Sequence, residues 1–181
     1  MLIIRPMRRS ELAQRSKGKT FDVVAAGKSL GRVTDQGAIT LDGRNFTVNG
    51  GGVTSPGARE TLAILKDGHL PKLTWLFWVL RDADEKVVVT SERAGPRGYT
   101  ITYGSDTFRF ARASMVSSTW HLYPPAGDVP LGTIAKQGWF GSTCTVEFPE
   151  SIDTLLQVFL FWQRLRWELD NSSDSTPYIS S

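Results

Sequence analysis

The feature that most constrains this chain is one predicted helix near its C-terminus, Ser151–Leu169, which is apolar around its whole circumference. Between Leu155 and Trp162 only Gln157 is polar. A helix that is hydrophobic on every side must be surrounded by apolar atoms, either inside a protein shell or in lipid. The rest of the chain is therefore expected to supply that surrounding.

A bilayer suits this segment less well than a protein shell. A membrane-spanning helix needs roughly 20 consecutive apolar residues, and here Arg164 and Arg166 interrupt the run. Two arginines near the centre of a span are costly to insert. We therefore expect the helix to be buried in protein, with Ser151 as its N-cap and Asp153 in its first turn, after Pro149 has ended the preceding strand.

Most of the remaining chain shows the alternation and turn residues of short antiparallel strands. Asp42-Gly43 between two alternating runs is a strong hairpin signal. Thr100–Phe110 aligns without gaps on Ala38–Val48, which indicates that one hairpin is used twice. The predicted strands are Phe21–Ala25, Ser29–Val33, Ala38–Leu41, Asn45–Val48, Thr61–Lys66, Leu73–Leu80, Lys86–Thr90, the two halves of Thr100–Phe110, Met115–Tyr123, Pro130–Ile134 and Ser142–Phe148.

About twelve hairpin-connected strands predict a barrel, because closure removes exposed strand edges. A barrel of this size leaves a lumen that must be filled, and the apolar helix can fill it. The predicted fold is mainly β: a closed antiparallel β-barrel of about twelve strands with a central hydrophobic C-terminal α-helix. The predicted organisation is a basic N-terminal arm at 1–19, a single barrel-plus-helix domain at 20–170 and a polar disordered tail at 171–181.

The N-terminal arm carries the strongest charge asymmetry of the chain, since Glu11 is its only acid. Two interpretations are open. The arm is either solvated and partly helical around Ser10–Gln14, or it attracts anionic lipid or nucleic acid, at about 1 kcal/mol per basic residue near an anionic surface. The candidate lipid-binding residues are Arg5, Arg8, Arg9, Arg15, Lys17 and Lys19.

Charge and cysteine content set the expected compartment. The net charge of +3 is compatible with an acidic partner without requiring one. The single cysteine, Cys144, excludes an internal disulfide and favours a reducing environment. The apolar run Leu2–Ile4 is too short for a signal peptide. We expect a cytoplasmic protein that associates peripherally with membrane if the arm binds lipid.

No catalytic signature is present, so the sequence predicts no enzymatic activity, no metal site and no cofactor. His69 and His121 do not have the spacing of metal ligands. The glycines Gly50–Gly52 are not followed by the Gly-Lys-Ser/Thr of a phosphate loop. Asp82–Asp84 has the carboxylate spacing of a cation site, but a hairpin turn explains these acids better. Cys144 lies in a strand pattern and is interpreted as a small core residue.

Two short patterns resemble a known superfamily. Phe148–Asp153 resembles the Phe-Pro-x-x-Leu-Asp sequence that leads into the helix of phospholipid scramblases, and Ser29–Val33 and Pro130–Ile134 resemble a Leu-Gly-x-Ile/Val strand pattern. Together with twelve strands before one apolar helix, they make Thr20–Asp170 similar to the tubby C-terminal-like superfamily. This superfamily includes tubby proteins, phospholipid scramblases and plant LURP-one-related proteins, with small bacterial members. The resemblance implies a barrel around a helix and association with lipid.

The resemblance does not supply site residues. Scramblases have an acidic calcium-binding cluster before the Phe-Pro, whereas Gly141–Glu147 contains one acid, so no calcium site carries over. The cysteine-rich palmitoylation segment of scramblases is missing from the sequence. No position matches the paired basic residues with which tubby proteins hold phosphoinositide head groups.

Three functions follow as hypotheses. The first is a nonenzymatic module that binds phospholipid membrane surfaces or a small amphiphile, and high salt should abolish this binding. The alternative is a protein-interaction or regulatory module with an apolar surface, such as Trp139–Phe140 or the aromatics of Trp75–Trp78, that is less sensitive to salt. Trp139–Phe140 is equally explained as a hairpin tip packed into the core. Nucleic-acid binding ranks third because no reading motif is recognised.

Overall fold

The computed structural model describes residues 1–7, 18–50, 77–95, 98–114, 116–137 and 143–172, with side chains as far as residue 169. Within these ranges twelve strands close into one antiparallel barrel, followed by helix α1, Thr154–Ser172. The predicted fold class is confirmed. The strands are β1 Leu2–Pro6, β2 Thr20–Ala25, β3 Lys28–Thr34, β4 Ala38–Leu41, β5 Arg44–Gly50, β6 Phe77–Asp82, β7 Val87–Arg93, β8 Gly98–Tyr103, β9 Asp106–Arg112, β10 Trp120–Tyr123, β11 Gly132–Lys136 and β12 Cys144–Glu147.

Helix α1 occupies the centre of the barrel. Every residue of Leu155–Leu165 is buried, as expected for a helix that is apolar on all sides. Its aromatic rings contact β2, β6 and β10, which are evenly spaced around the closed order of strands. The ring pairs are Phe161 with Phe21 at 5.3 Å, Trp162 with Trp78 at 4.9 Å and Trp167 with Trp120 at 5.6 Å between centroids.

The N-cap of α1 is Asp153 rather than the predicted Ser151. The Oδ1 atom of Asp153 accepts the backbone N–H of Leu155 at 2.7 Å, and its carbonyl oxygen accepts the N–H of Gln157 at 3.1 Å. These two bonds define the capping position. The backbone N–H of Ile152 instead bonds the carbonyl of Pro149, so the chain makes one more turn before the helix begins.

The first strand contradicts the prediction that the whole N-terminal segment is an arm. Leu2–Pro6 pairs with β12 on one side and with β2 on the other, so it closes the barrel. The side chains of Leu2 and Ile4 point into the core and are 5% and 0% exposed. Interpreting all of 1–19 as an arm outside the domain was therefore wrong for β1. Three consecutive apolar residues before a basic stretch give too short a pattern to predict a strand.

The other strand predictions fall in the right places with shifted limits. The strand expected over Met115–Tyr123 is only Trp120–Tyr123, because the chain before it forms a loop in which Arg112 Nη2 donates to the carbonyl of Ser117. The predicted strand Thr61–Lys66 lies outside the described residues. Helix α1 continues to Ser172, into the predicted tail, and the rest of that tail also lies outside them.

The repeated hairpin is present at both predicted places. Leu41 pairs with Arg44 across one two-residue turn, and Tyr103 pairs with Asp106 across the other. Asp42 and Gly43 both have positive φ, 49° and 75°, which is the geometry that favours an Asp-Gly turn between twisted strands.

Candidate functional site

The two ends of the barrel carry opposite charge. Neighbouring strands in the barrel are antiparallel and consecutive in sequence. All odd-numbered strands therefore end, and all even-numbered strands begin, at one and the same end of the barrel. Helix α1 finishes at this same end, which we call the basic end, and begins at the other, which we call the acidic end. Cationic described residues at the basic end are Lys19, Arg93, Arg112, Lys136, Arg164 and Arg166, against the acids Asp35, Glu92 and Glu168.

Acids predominate at the acidic end, where the hairpin turns and the start of α1 meet. The acids there are Asp42, Asp82, Asp84, Glu85, Asp106, Asp128, Glu147, Glu150 and Asp153. The cations there are Lys28, Arg44, Arg81, Lys86 and Arg109, of which Arg81 and Arg109 are salt-bridged to Glu85 and Asp128. The barrel is therefore electrically polar along its axis.

A cavity of about 450 Å³ opens at the basic end, between α1 and four strands that are neighbours in the barrel, β2, β1, β12 and β11. Its polar lining consists of Lys19, Lys136, Cys144, Arg164 and Glu168. Lys19 and Lys136 are exposed, whereas Arg164 is 1% exposed. Two cations thus stand at the solvent side of this cavity and a third lies in its interior.

Arg164 is a buried cation held by α1 and its surroundings. Its Nη2 donates to Oε1 of Glu168, one helical turn further on, at 2.7 Å, and its Nη1 donates to Sγ of Cys144 at 3.0 Å. Its Nε donates weakly to the carbonyl of Ser118 at 3.4 Å. A buried charge needs such partners. A thiol sulfur is a weak acceptor, so Nη1 remains suited to a stronger acceptor such as an anionic oxygen.

Cys144 is not activated as a nucleophile. Burial raises the pKa of its thiol above the usual 9.0, and the charge of Glu168 adds to this effect while that of Arg164 opposes it. The group is therefore a protonated thiol at neutral pH. Since the thiolate is the reactive form, this geometry makes Cys144 an acceptor for Arg164 and agrees with its interpretation as a core residue.

A second cavity, of about 480 Å³, lies at the acidic end, and its polar groups serve local structure. Burial raises the pKa of the Tyr103 phenol, and the nearby carboxylate of Asp153 adds to this effect. Oδ1 of Asp82 accepts the N–H groups of Asp84 and Lys86 at 3.0 and 2.9 Å, which confirms the turn interpretation. Within the described ranges no group of three or more His, Cys, Asp or Glu side chains could hold a metal ion.

The structure describes two of the six candidate lipid-binding residues. Arg5 projects from the outer wall of β1, where its Nη2 lies 3.2 Å from Oδ2 of Asp22. Lys19 lines the cavity at the basic end. The other four belong to the connection between β1 and β2, which leaves and rejoins the barrel at the basic end. These residues, Arg8, Arg9, Arg15 and Lys17, lie outside the described part of the chain.

Two further sequence candidates lie in the described part of the chain, and neither lines this cavity. Trp78 is 6% exposed and packs on Trp162, so interpreting it as an exposed aromatic was wrong. His121 projects from the outer side of β10, with its ring 5.9 Å from that of Tyr123. The candidates Gly51, Gly52, His69, Trp75, Trp139 and Phe140 lie outside the described residues.

Sequence reasoning missed Lys136 and Arg164. From the sequence, Arg164 was interpreted only as a charge that interrupts the apolar run, whereas α1 extends to Ser172 and places Arg164 near its middle. The available signal was the pairing of Arg164 with Glu168 at i,i+4 inside an apolar helix. Lys136 gave no signal, because a lysine at a strand end is an ordinary surface residue.

Comparison of the chain with models of protein families, with curated proteins and with solved structures finds no match. Of the helical structure that is described, no segment combines the length and apolar content needed to cross a bilayer.

Proposed function

We propose that this protein is a nonenzymatic binding module that associates with anionic phospholipid surfaces or small anionic amphiphiles through its basic end. The observation that carries the proposal is the opposite charge of the two ends of the barrel. A basic side chain near an anionic membrane surface contributes about 1 kcal/mol. The acidic end is repelled by the same surface, so the barrel would meet the membrane with its axis upright.

The cavity supports binding rather than catalysis. Its polar groups are cations, a protonated thiol and a carboxylate already bonded to Arg164. Lys136 ends β11 and Lys19 directly precedes β2, and both side chains are exposed at the basic end. This arrangement attracts anions without presenting an activated nucleophile.

The architecture also supports kinship with the tubby C-terminal-like superfamily. The barrel encloses an apolar C-terminal helix, and Phe148–Asp153 leads from β12 into it. In that superfamily lipid association is widespread. The single reduced Cys144 suits a cytoplasmic protein, and the proposal accordingly places this protein at the periphery of a membrane facing the cytoplasm.

Vesicle flotation with paired charge reversals tests the proposal. The basic-end variant is Lys19→Glu/Lys136→Glu, and the matched control at the acidic end is Lys28→Glu/Lys86→Glu. All four lysines are exposed, and both variants change the net charge equally. We expect the wild-type protein and the acidic-end control to float with phosphatidylserine-containing vesicles at low salt, and the basic-end variant to float far less. High salt should release all of them, because exposed charges are screened over about 10 Å at 0.1 M.

Equal losses in the two variants would mean that overall charge, not the basic end, drives association, and would contradict the proposal. Flotation with purely zwitterionic vesicles that persists at high salt would contradict the electrostatic mechanism. No flotation of the wild-type protein at low salt would exclude association with membrane surfaces and favour the alternative of a protein-interaction module.

A further inference from the structure

We infer that the cavity at the basic end binds one single-chain anionic amphiphile, with its head group among the three cations and its hydrocarbon chain along α1. A volume of about 450 Å³ lies in the lower part of the range of small-molecule sites, roughly 300–1,000 Å³. This size favours one acyl chain over the two chains of a phospholipid. The inference rests on the proposed function, since both bring anionic lipid to the basic end, and it names the molecule that enters the protein.

The hydrocarbon part of this inference rests on the walls of the cavity. They combine rings and aliphatic chains from both the barrel and the helix: Pro6, Phe21, Phe161, Leu165 and Leu169. Phe21 and Phe161 meet edge to face at 5.3 Å, which fixes the inner wall. Binding an alkyl chain against this lining is favourable because apolar surface on both sides is removed from water. A compact polar anion would leave most of the apolar lining in contact with water.

The head-group part rests on charge. Lys19, Lys136 and Arg164 face one lining acid, Glu168, which is already paired with Arg164 at 2.7 Å. Within the described part of the chain, the Nη1 donor of Arg164 bonds the thiol of Cys144, at 3.0 Å. A carboxylate or phosphate oxygen accepts a hydrogen bond from guanidinium far more strongly than sulfur does. The cavity therefore selects an anionic head over a neutral or cationic one.

Calorimetry with decanoate, below its micelle-forming concentration, tests the inference on the full-length protein. Decyltrimethylammonium and decyl maltoside serve as cationic and neutral probes of the same chain length, and decyl phosphate compares a second anionic head. We expect decanoate to bind and the cationic and neutral probes to bind at least tenfold more weakly. Affinity should rise from hexanoate to decanoate by up to about fourfold per methylene.

A cavity-filling variant locates the binding. Leu169 is half-buried at the cavity, so Leu169→Trp should block the chain and weaken decanoate binding at least tenfold without changing surface charge. Val88→Trp, in the cavity at the acidic end, is the matched control and should bind as the wild type does. A second variant, Lys136→Gln, should weaken decanoate binding without affecting the neutral probe. Urea unfolding verifies that each variant is folded.

The outcomes separate this inference from the proposed function. Unchanged decanoate binding by Leu169→Trp, or equal binding of the cationic probe, would overturn the inference. Vesicle flotation without decanoate binding would also overturn it while leaving the proposed membrane association intact. Decanoate binding that Leu169→Trp abolishes, in a variant that still floats with anionic vesicles, would support both.

Discussion

At the scale of single residues, Cys144 makes the stability of the barrel core depend on pH. Its side chain is 1% exposed and lies against Arg164. Because burial raises the pKa of its thiol, the folded protein holds this proton more tightly than the unfolded chain does. Below the unfolded value of 9.0 both states are protonated and the free energy of unfolding is unaffected. Above it the unfolded chain ionises first, so stability falls.

We therefore expect Cys144→Ala to lose less stability than the wild type when the pH rises from about 7 to about 10. Urea unfolding at both pH values measures the difference. Tyr103, whose pKa is also raised, is present in both proteins and its effect cancels. A stability gap between the two proteins that is the same at both pH values would show that the thiol does not titrate differently in the folded state.

At the scale of elements, the start of α1 depends on one carboxylate. Asp153 caps the helix through the backbone N–H of Leu155. Its carboxylate also lies near Tyr103 of β8, where it helps to raise the pKa of that phenol. Ser151, which precedes it, is exposed and outside the helix.

Asp153→Ala should lower the free energy of unfolding by about 1 kcal/mol or more, the usual cost of losing an N-cap. Ser151→Ala is the control and should change it by less than about 0.5 kcal/mol. Asp153→Asn keeps a capping oxygen and should fall between them. Chemical denaturation gives the free energy of unfolding of all three variants. A larger loss of stability for Ser151→Ala than for Asp153→Ala would show that Ser151 is the N-cap, as predicted from the sequence.

Some of these structural elements could be predicted from the sequence and others could not. Alternation and Asp-Gly turns are local signals, so the strands and the doubled hairpin were predicted, and the apolar helix implied the barrel around it. β1 was missed because its pattern is short and its partners, β2 and β12, supply the burial. Of the cations at the cavity, only Lys19 was predicted from the sequence. Lys136 and Arg164 come close to Lys19 because β2, β1, β12 and β11 are neighbours in the closed barrel.

At the scale of the whole molecule, β1 completes the barrel. Without it β2 and β12 would each present an unpaired edge, which favours aggregation. Two adjacent isoleucines report on this closure. Ile4 points inward and is 0% exposed, whereas Ile3 points outward and is half-buried.

Ile4→Ala should therefore cost about 2–5 kcal/mol of stability, as core truncations do, and Ile3→Ala should cost less than about 1.5 kcal/mol. Thermal or urea unfolding of the two variants makes the comparison. If 1–19 were a solvated arm throughout, neither substitution would matter. The same reasoning makes charge reversal, rather than truncation of 1–19, the suitable way to probe lipid binding.

The pairing of the first strand with the last has a consequence for how the chain reaches this structure. Ile3 cannot meet Thr145 until the chain has been synthesised beyond β12, and α1, which follows β12, must be enclosed as the barrel closes. The pairing of β1 with β12 is thus among the late steps of folding. Contacts so distant in sequence make folding slow. Until β1 pairs with β12, both strands have an unpaired edge through which newly made chains can aggregate.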